Sequence, residues 1–155
     1  MIKILRTFAL VFVAIFSLNI VQSGAQSATQ RYADSHRNIA ATLALEYGIP
    51  REVILGVAAI ESSSGQAKNC RDLNNHFGIV GSNNIARHTR YKQYASTEES
   101  FRDFCKLMVR KGFYLRLKGN NNPTAWAEAI SKCGYSEQPG VWKQRVVTIM
   151  KTNRL

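Results

Sequence analysis

The sequence has 155 residues, 45% of them hydrophobic, enough for one domain with a packed core and too many for a disordered tail. Twenty-one basic side chains stand against ten acidic ones, a formal net charge of +11 that points to an anionic polymer or surface as partner. The three cysteines permit one disulfide at most and fit no zinc-ligand spacing.

The chain opens with "MIKILRTFALVFVAIFSLNIVQSGA". Lys3 and Arg6 precede an apolar run from Phe8 to Ile20, and Ser23 and Ala25 follow at the spacing signal peptidase needs, so residues 1–25 read as a cleaved export signal. The alternative is an uncleaved anchor, for which the run is short of the ~20 residues that span a bilayer. No cysteine follows the run to carry a lipid. Residues 26–155 then form one domain outside the cytoplasm, secreted or periplasmic, with no integral membrane segment after cleavage.

Losing Lys3 and Arg6 takes the 21 basic side chains to 19 against 10 acidic, a net charge of +9. Export argues against nucleic acid as the anionic partner. Envelope glycans, phosphate-bearing wall polymers and lipid surfaces suit the compartment better, and a solvated basic surface without a partner is the alternative. In an oxidising compartment one disulfide is expected, Cys70 with Cys105 being the favoured pair; otherwise all three cysteines, Cys133 included, are small buried apolar residues.

In "QRYADSHRNIAATLALEYGIP", Tyr32, His36, Ile39, Ala40, Leu43 and Tyr47 recur at helical spacing, with Gly48 as the C-terminal cap and Pro50 opening a second helix. That second helix is predicted to run to about Ser64 and stop at Gly65. A short helical turn follows through "QAKNCRDL". The polar stretch "NNHFGIVGSNNIARHTRYKQY" then predicts a small hairpin or an irregular loop that builds a site rather than a core. "STEESFRDFCKLMVRK" predicts a helix capped by Ser96 or Thr97, with Glu98 and Glu99 in the first turn and Phe101, Phe104, Cys105, Met108 and Val109 as its buried stripe. Two more helices, one from Pro123 through Ile130 and one through "VWKQRVVTIMKTNRL", complete a mainly helical domain.

Within the second helix, Ile54, Val57, Ala58 and Glu61 stand at i, i+3, i+4 and i+7, so a carboxylate occupies a stripe made for burial. Desolvation and the negative end of the helix dipole both raise the pKa of an acid placed there. Such an acid keeps its proton near neutral pH, as glycoside cleavage requires of the group that protonates the leaving oxygen. The plainer alternative is a glutamate emerging into water at the helix end.

Four ordered stretches, "YGIPREVILGVAAIESSSG", "LNNHFGI", "YKQYASTEESFRDF" and "AWAEAISKCGYSEQPGVW", resemble the N-acetylglucosaminidase domain family of bacterial autolysins and flagellar wall hydrolases, glycoside hydrolase family seventy-three. The likeness runs from about residue 30 to the end. It implies a lysozyme-like helical fold with a groove between a helical body and a small β-hairpin or irregular lobe, and cleavage of peptidoglycan glycan strands beside N-acetylglucosamine. By this resemblance Glu61 is the general acid, Asn75, Phe77 and Gly78 lie near the groove floor, and Tyr135 lies beside the reacting sugar. The expected substrate-binding set is Asn74, Asn75, His76, Phe77, Gly78 and Tyr94, since amides can bond sugar hydroxyl and acetamido groups and aromatic rings can cover a sugar face.

Two departures from the family pattern bear on mechanism. No Asp or Glu occurs between Asp72 and Glu98, where many members carry a second acid in a longer β lobe, and Gln138 replaces the aspartate expected in "GYSEQP". Glu98 and Glu99 read as helix-start acids, which leaves Glu137 as the candidate second acid. The expected mechanism is therefore substrate-assisted: Glu61 protonates the leaving oxygen while the 2-acetamido oxygen, oriented by Tyr135 and an asparagine, attacks the anomeric carbon. No metal is expected at His36, His76 and His88, no cofactor is needed, and a monomer is expected. "HTRYK", with Arg87, Arg90 and Lys92, reads as a basic rim. The alternatives are a lytic transglycosylase or muramidase on the same core, or an inactive wall-binding module.

Overall fold

The computed structural model describes residues 26–85 and 89–155. The expected export signal, and Arg87 and His88 of the basic rim, lie outside the described residues. The described chain forms α1 (Ala28–Tyr47), α2 (Arg51–Glu61), α3 (Lys68–Leu73), α4 (Thr97–Val109), α5 (Tyr114–Leu117), α6 (Pro123–Lys132) and α7 (Pro139–Thr152). None of these helices is long and apolar enough to cross a membrane.

The α1–α2 corner forms as the residue types dictate. Gly48 adopts φ 64°, and its N–H caps α1 on the Ala44 carbonyl at 2.9 Å. Pro50 sits immediately before Arg51, where its missing N–H leaves no intrahelical bond unmade. From Val53 to Ala59 every residue of α2 is buried, and α1, α4, α6 and α7 all pack on it. Gly56 permits a close approach to α7: a Cβ there would stand 2.8 Å from Met150 Cγ. The two helices that meet there carry Glu61 and Trp142.

Helix α2 ends three residues earlier than its sequence suggests. Ser62 donates its hydroxyl to Ala58 O at 2.7 Å and accepts the N–H of Gly65 at 2.8 Å, closing the helix with its own side chain. Ser63, Ser64 and Gly65 follow in the left-handed region, at φ 49°, 55° and 83°. Two of the three carry a Cβ in a conformation that disfavours one. The Thr29–Ser64 hydroxyl bond at 2.9 Å ties this turn to α1.

The polar stretch after α3 is an irregular lobe. Its only bridge among the described residues is the antiparallel pair Val80–Tyr91, continued by Gly81 N–H to Arg90 O at 2.9 Å and Lys92 N–H to Ile79 O at 2.8 Å. Ser96 caps α4 by accepting the Glu99 N–H at 3.2 Å. Glu98 pairs with Arg102, and Glu99 accepts the Ala95 N–H, so both first-turn acids are engaged at the helix start. Phe101, Phe104, Cys105 and Met108 are fully buried, but Val109 is 42% exposed: α4 ends there and the chain turns outward into α5.

The expected disulfide is absent. Cys70, Cys105 and Cys133 are free thiols, because the fold gives each a separate setting. Cys70 faces His76, Cys105 lies in the core, and Cys133 donates to Ile130 O at 3.1 Å as α6 ends.

Candidate active site

Glu61 is the last residue of α2 and is partly buried, with Trp142 of α7 donating its indole N–H to Glu61 Oε1 at 2.7 Å. Burial raises the Glu61 pKa above the ordinary carboxylate range; the Trp142 hydrogen bond and the Arg145 charge offset part of that rise. The acid is thus biased toward its protonated form while one oxygen is held in place. Trp142 and Arg145 carry no signal in the sequence reading, although Trp142, Val146 and Met150 at i, i+4 and i+8 mark the buried face of α7.

Tyr135 joins this constellation from the turn after α6. Its ring centroid lies 5.4 Å from that of Trp142, and its hydroxyl points to the Phe77 carbonyl at 3.4 Å. Burial first, and then the charge of Glu61, push its phenol well above the usual range, so Tyr135 stays a neutral donor. Glu137 is exposed and lines a cleft of about 380 Å³ with Ser136, Gln138, Val141, Trp142 and Arg145, on the flank of the indole that holds Glu61.

The "NNHFGI" residues do converge here, but from below. Asn75 is 1% exposed and its amide is fully committed: Nδ2 donates to Ile79 O and Lys92 O, both at 2.8 Å, and Oδ1 accepts the Ile79 N–H at 3.1 Å. It pins the two halves of the lobe together and has no donor left for a sugar. Phe77 is buried and stacked on Phe104 at 4.3 Å, edge-on to Phe101 at 5.0 Å. Gly78 takes φ 66° as the chain leaves the floor.

His76 also faces inward rather than toward a ligand. Its Nδ1 shares a 2.6 Å hydrogen bond with the Tyr32 hydroxyl, Cys70 Sγ lies 3.4 Å away, and its backbone N–H donates to Ser100 Oγ. The fold brings His36 and His76 to 5.2 Å between ring centroids, yet they pack with Tyr32 and Phe101 as part of the interior. Burial and the nearby His36 lower the His76 pKa to about 4. Among the described residues no three His, Cys, Asp or Glu side chains are grouped to hold a metal.

Asn74 caps α3 in a left-handed conformation, φ 51°, and donates to Tyr94 O at 3.1 Å. Tyr94 is buried; its hydroxyl donates to Asp103 Oδ2 at 2.8 Å, and the Lys92 ammonium lies 4.9 Å from its ring centroid. Of the expected set, then, Glu61 and Tyr135 stand together with Trp142, whereas Asn74, Asn75, His76, Phe77 and Tyr94 build the floor and lobe through internal contacts.

Solved structures share this architecture. The catalytic domain of the autolysin Auto from Listeria monocytogenes superposes with a TM-score of 0.71 at 18% identity, covering 86% of this chain and 89% of that one. A truncated glycoside hydrolase domain of FlgJ from Salmonella typhimurium gives 0.66 at 19% identity, covering 81% and 97%. A peptidoglycan hydrolase from Sphingomonas sp. A1 gives 0.65 at 23% identity, covering 81% and 90%. No curated protein matches the chain. A family model described as mannosyl-glycoprotein endo-beta-N-acetylglucosaminidase matches residues 37–155, a span that includes Glu61, the lobe and Tyr135, and on that match the chain belongs to the glucosaminidase family of glycoside hydrolases.

Proposed function

We propose that this glycoside hydrolase cuts the glycan strands of peptidoglycan beside N-acetylglucosamine, with Glu61 as general acid and Tyr135 beside the reacting sugar. The observation that carries the reading is the Glu61 carboxyl itself, raised in pKa by burial and fixed through one oxygen by Trp142, so that the other can face a glycosidic oxygen. Two of the proteins with this fold, an autolysin and a peptidoglycan hydrolase, support peptidoglycan as the substrate.

The acid-free lobe favours a substrate-assisted route. Glu61 gives its proton to the leaving oxygen as the C–O bond breaks. The electron pair of the substrate's acetamido oxygen closes on the anomeric carbon, forming a cyclic oxazolinium. Water then opens that ring, and Glu61 recovers a proton from the attacking water. One water is consumed and the anomeric configuration is retained. Glu137, which lines the same cleft as Trp142, is the candidate for a second acid. The "NNHFGI" residues act by shaping the floor beneath the sugar. The protein works as a monomer in the envelope, secreted or periplasmic, after loss of residues 1–25, and needs no cofactor.

Mass spectrometry of digested wall tests the reading. Reducing-end N-acetylglucosamine is the expected product; anhydro-muramic or reducing N-acetylmuramic acid ends would replace it with a lytic transglycosylase or a muramidase. Glu61→Gln should abolish release while keeping helical circular dichroism, and undiminished release by that variant would remove Glu61 from the mechanism. Wall binding without any cleavage by the parent protein would make it an inactive module.

A further inference from the structure

The corner between α4 and α6 has a composition the cleft does not use. From Phe104 to Ala127 there is no acidic residue, while Lys106, Arg110, Lys111, Arg116 and Lys118 are all cationic. Lys106 faces Glu46 and Arg110 faces Asp103, which leaves Lys111, Arg116 and Lys118 without an ion pair among the described residues. Amid these charges Leu115 is 84% exposed and Val109 42%; Leu45, at 90%, borders a cavity of about 720 Å³ together with Gly119 and Asn121. Three of the five large hydrophobics that are exposed in the described chain thus gather at this corner.

The corner is held rather than loose. Tyr114 and Leu117 of α5 are buried, the Tyr114 hydroxyl donates to Tyr47 O at 2.7 Å, and Gly119 N–H bonds Gly48 O at 2.8 Å. Seating α5 by these two residues forces Leu115 and Arg116 outward. A solvated basic surface has no use for a bare leucine on a fixed turn, and a linear polyanion would need only the cations. A bilayer surface takes both, phosphates meeting Lys and Arg while the leucine enters the acyl boundary.

We propose that the α4–α5 corner, centred on Leu115, Arg116, Lys111 and Lys118, docks the protein on an anionic lipid surface. The corner abuts Gly48, just ahead of α2, whereas Glu61 is the last residue of that eleven-residue helix, which is about 16 Å long. Docking therefore leaves the Glu61 end facing away from the bilayer. The inference stands independently of the chemistry assigned to Glu61.

Cosedimentation of the protein with vesicles of phosphatidylglycerol and phosphatidylcholine, against phosphatidylcholine alone, tests it. Binding to the anionic vesicles is expected, about 100-fold weaker in the triple variant Lys111→Gln, Arg116→Gln, Lys118→Gln and about tenfold weaker in Leu115→Ser. A charge-matched triple elsewhere, Arg71→Gln, Lys132→Gln, Lys151→Gln, should lose only about threefold. Equal loss in both triples would make the attraction a property of net charge and overturn the proposal. So would no binding to anionic vesicles, or an unaffected Leu115→Ser whose corner cations instead bind soluble polyphosphate.

Discussion

Replacing Asn75 with alanine separates a sugar reader from a structural pin. The substitution removes three hydrogen bonds, to Ile79 O, Lys92 O and Ile79 N–H, from a side chain that is 1% exposed. At roughly 1 kcal/mol net for each bond, the loss is about 3 kcal/mol, or a fall of about 10 °C in Tm for a domain of this size. Asn75→Asp is the sharper probe. It keeps the acceptor for Ile79 N–H but turns the donor into an oxygen facing two carbonyls at 2.8 Å. That variant should be less stable than Asn75→Ala near neutral pH and recover as pH falls, because a protonated carboxyl can donate to one of the carbonyls. Urea unfolding at several pH values, beside steady-state kinetics on purified wall, reads both effects. If Asn75→Ala unfolds within about 0.5 kcal/mol of the parent while KM rises tenfold, the amide contacts sugar and the pin account fails.

Trp142→Phe removes the indole donor on Glu61 but keeps an aromatic ring, so the alkaline limb of the kcat/KM profile should move to higher pH; an unmoved or lowered limb contradicts the assigned hydrogen bond. His76 in the fold binds its proton near pH 4 against 6.5 when free, so the unfolded chain holds more protons between those values. Its contribution is fully present above about pH 6.5 and is lost as pH falls toward 4, roughly 3 kcal/mol in all, and His76→Gln should flatten the dependence of urea midpoints across that window. Gly65→Ala places a Cβ 3.1 Å from Tyr32 Cδ2 at φ 83°, and should cost about 1–2 kcal/mol in unfolding experiments while lowering kcat through the turn that follows Glu61.

The helical body was legible because burial in helices has a period. Ile54, Val57 and Ala58 announced the α2 stripe, and all three are fully buried; Gly48 announced the corner by its need for a left-handed cap. The partial burial of Glu61 was legible for the same reason, as the polar residue on an apolar face. What periodicity could not carry is pairing across the chain. Trp142 lies 81 residues from Glu61, and nothing in either local pattern names the other. Asn75 looked like a sugar ligand because an amide has the same donors whether they meet a hydroxyl or a backbone carbonyl, and Lys92 O is 17 residues away. The end of α2 was misplaced because Ser62 closes the helix with its hydroxyl, an option that serine offers without advertising it. Helix α5, with four residues, is shorter than any period that could be counted.

The chain contains two tryptophans, and they occupy opposite kinds of place. Trp126 is fully buried, with its indole N–H on the Asn120 carbonyl. Trp142 rests against Glu61, the carboxyl proposed as the proton donor. Its fluorescence is therefore a built-in gauge: emission that follows acidity and saccharide occupancy reads the ionisation of Glu61 directly, with no dye attached and no bond broken.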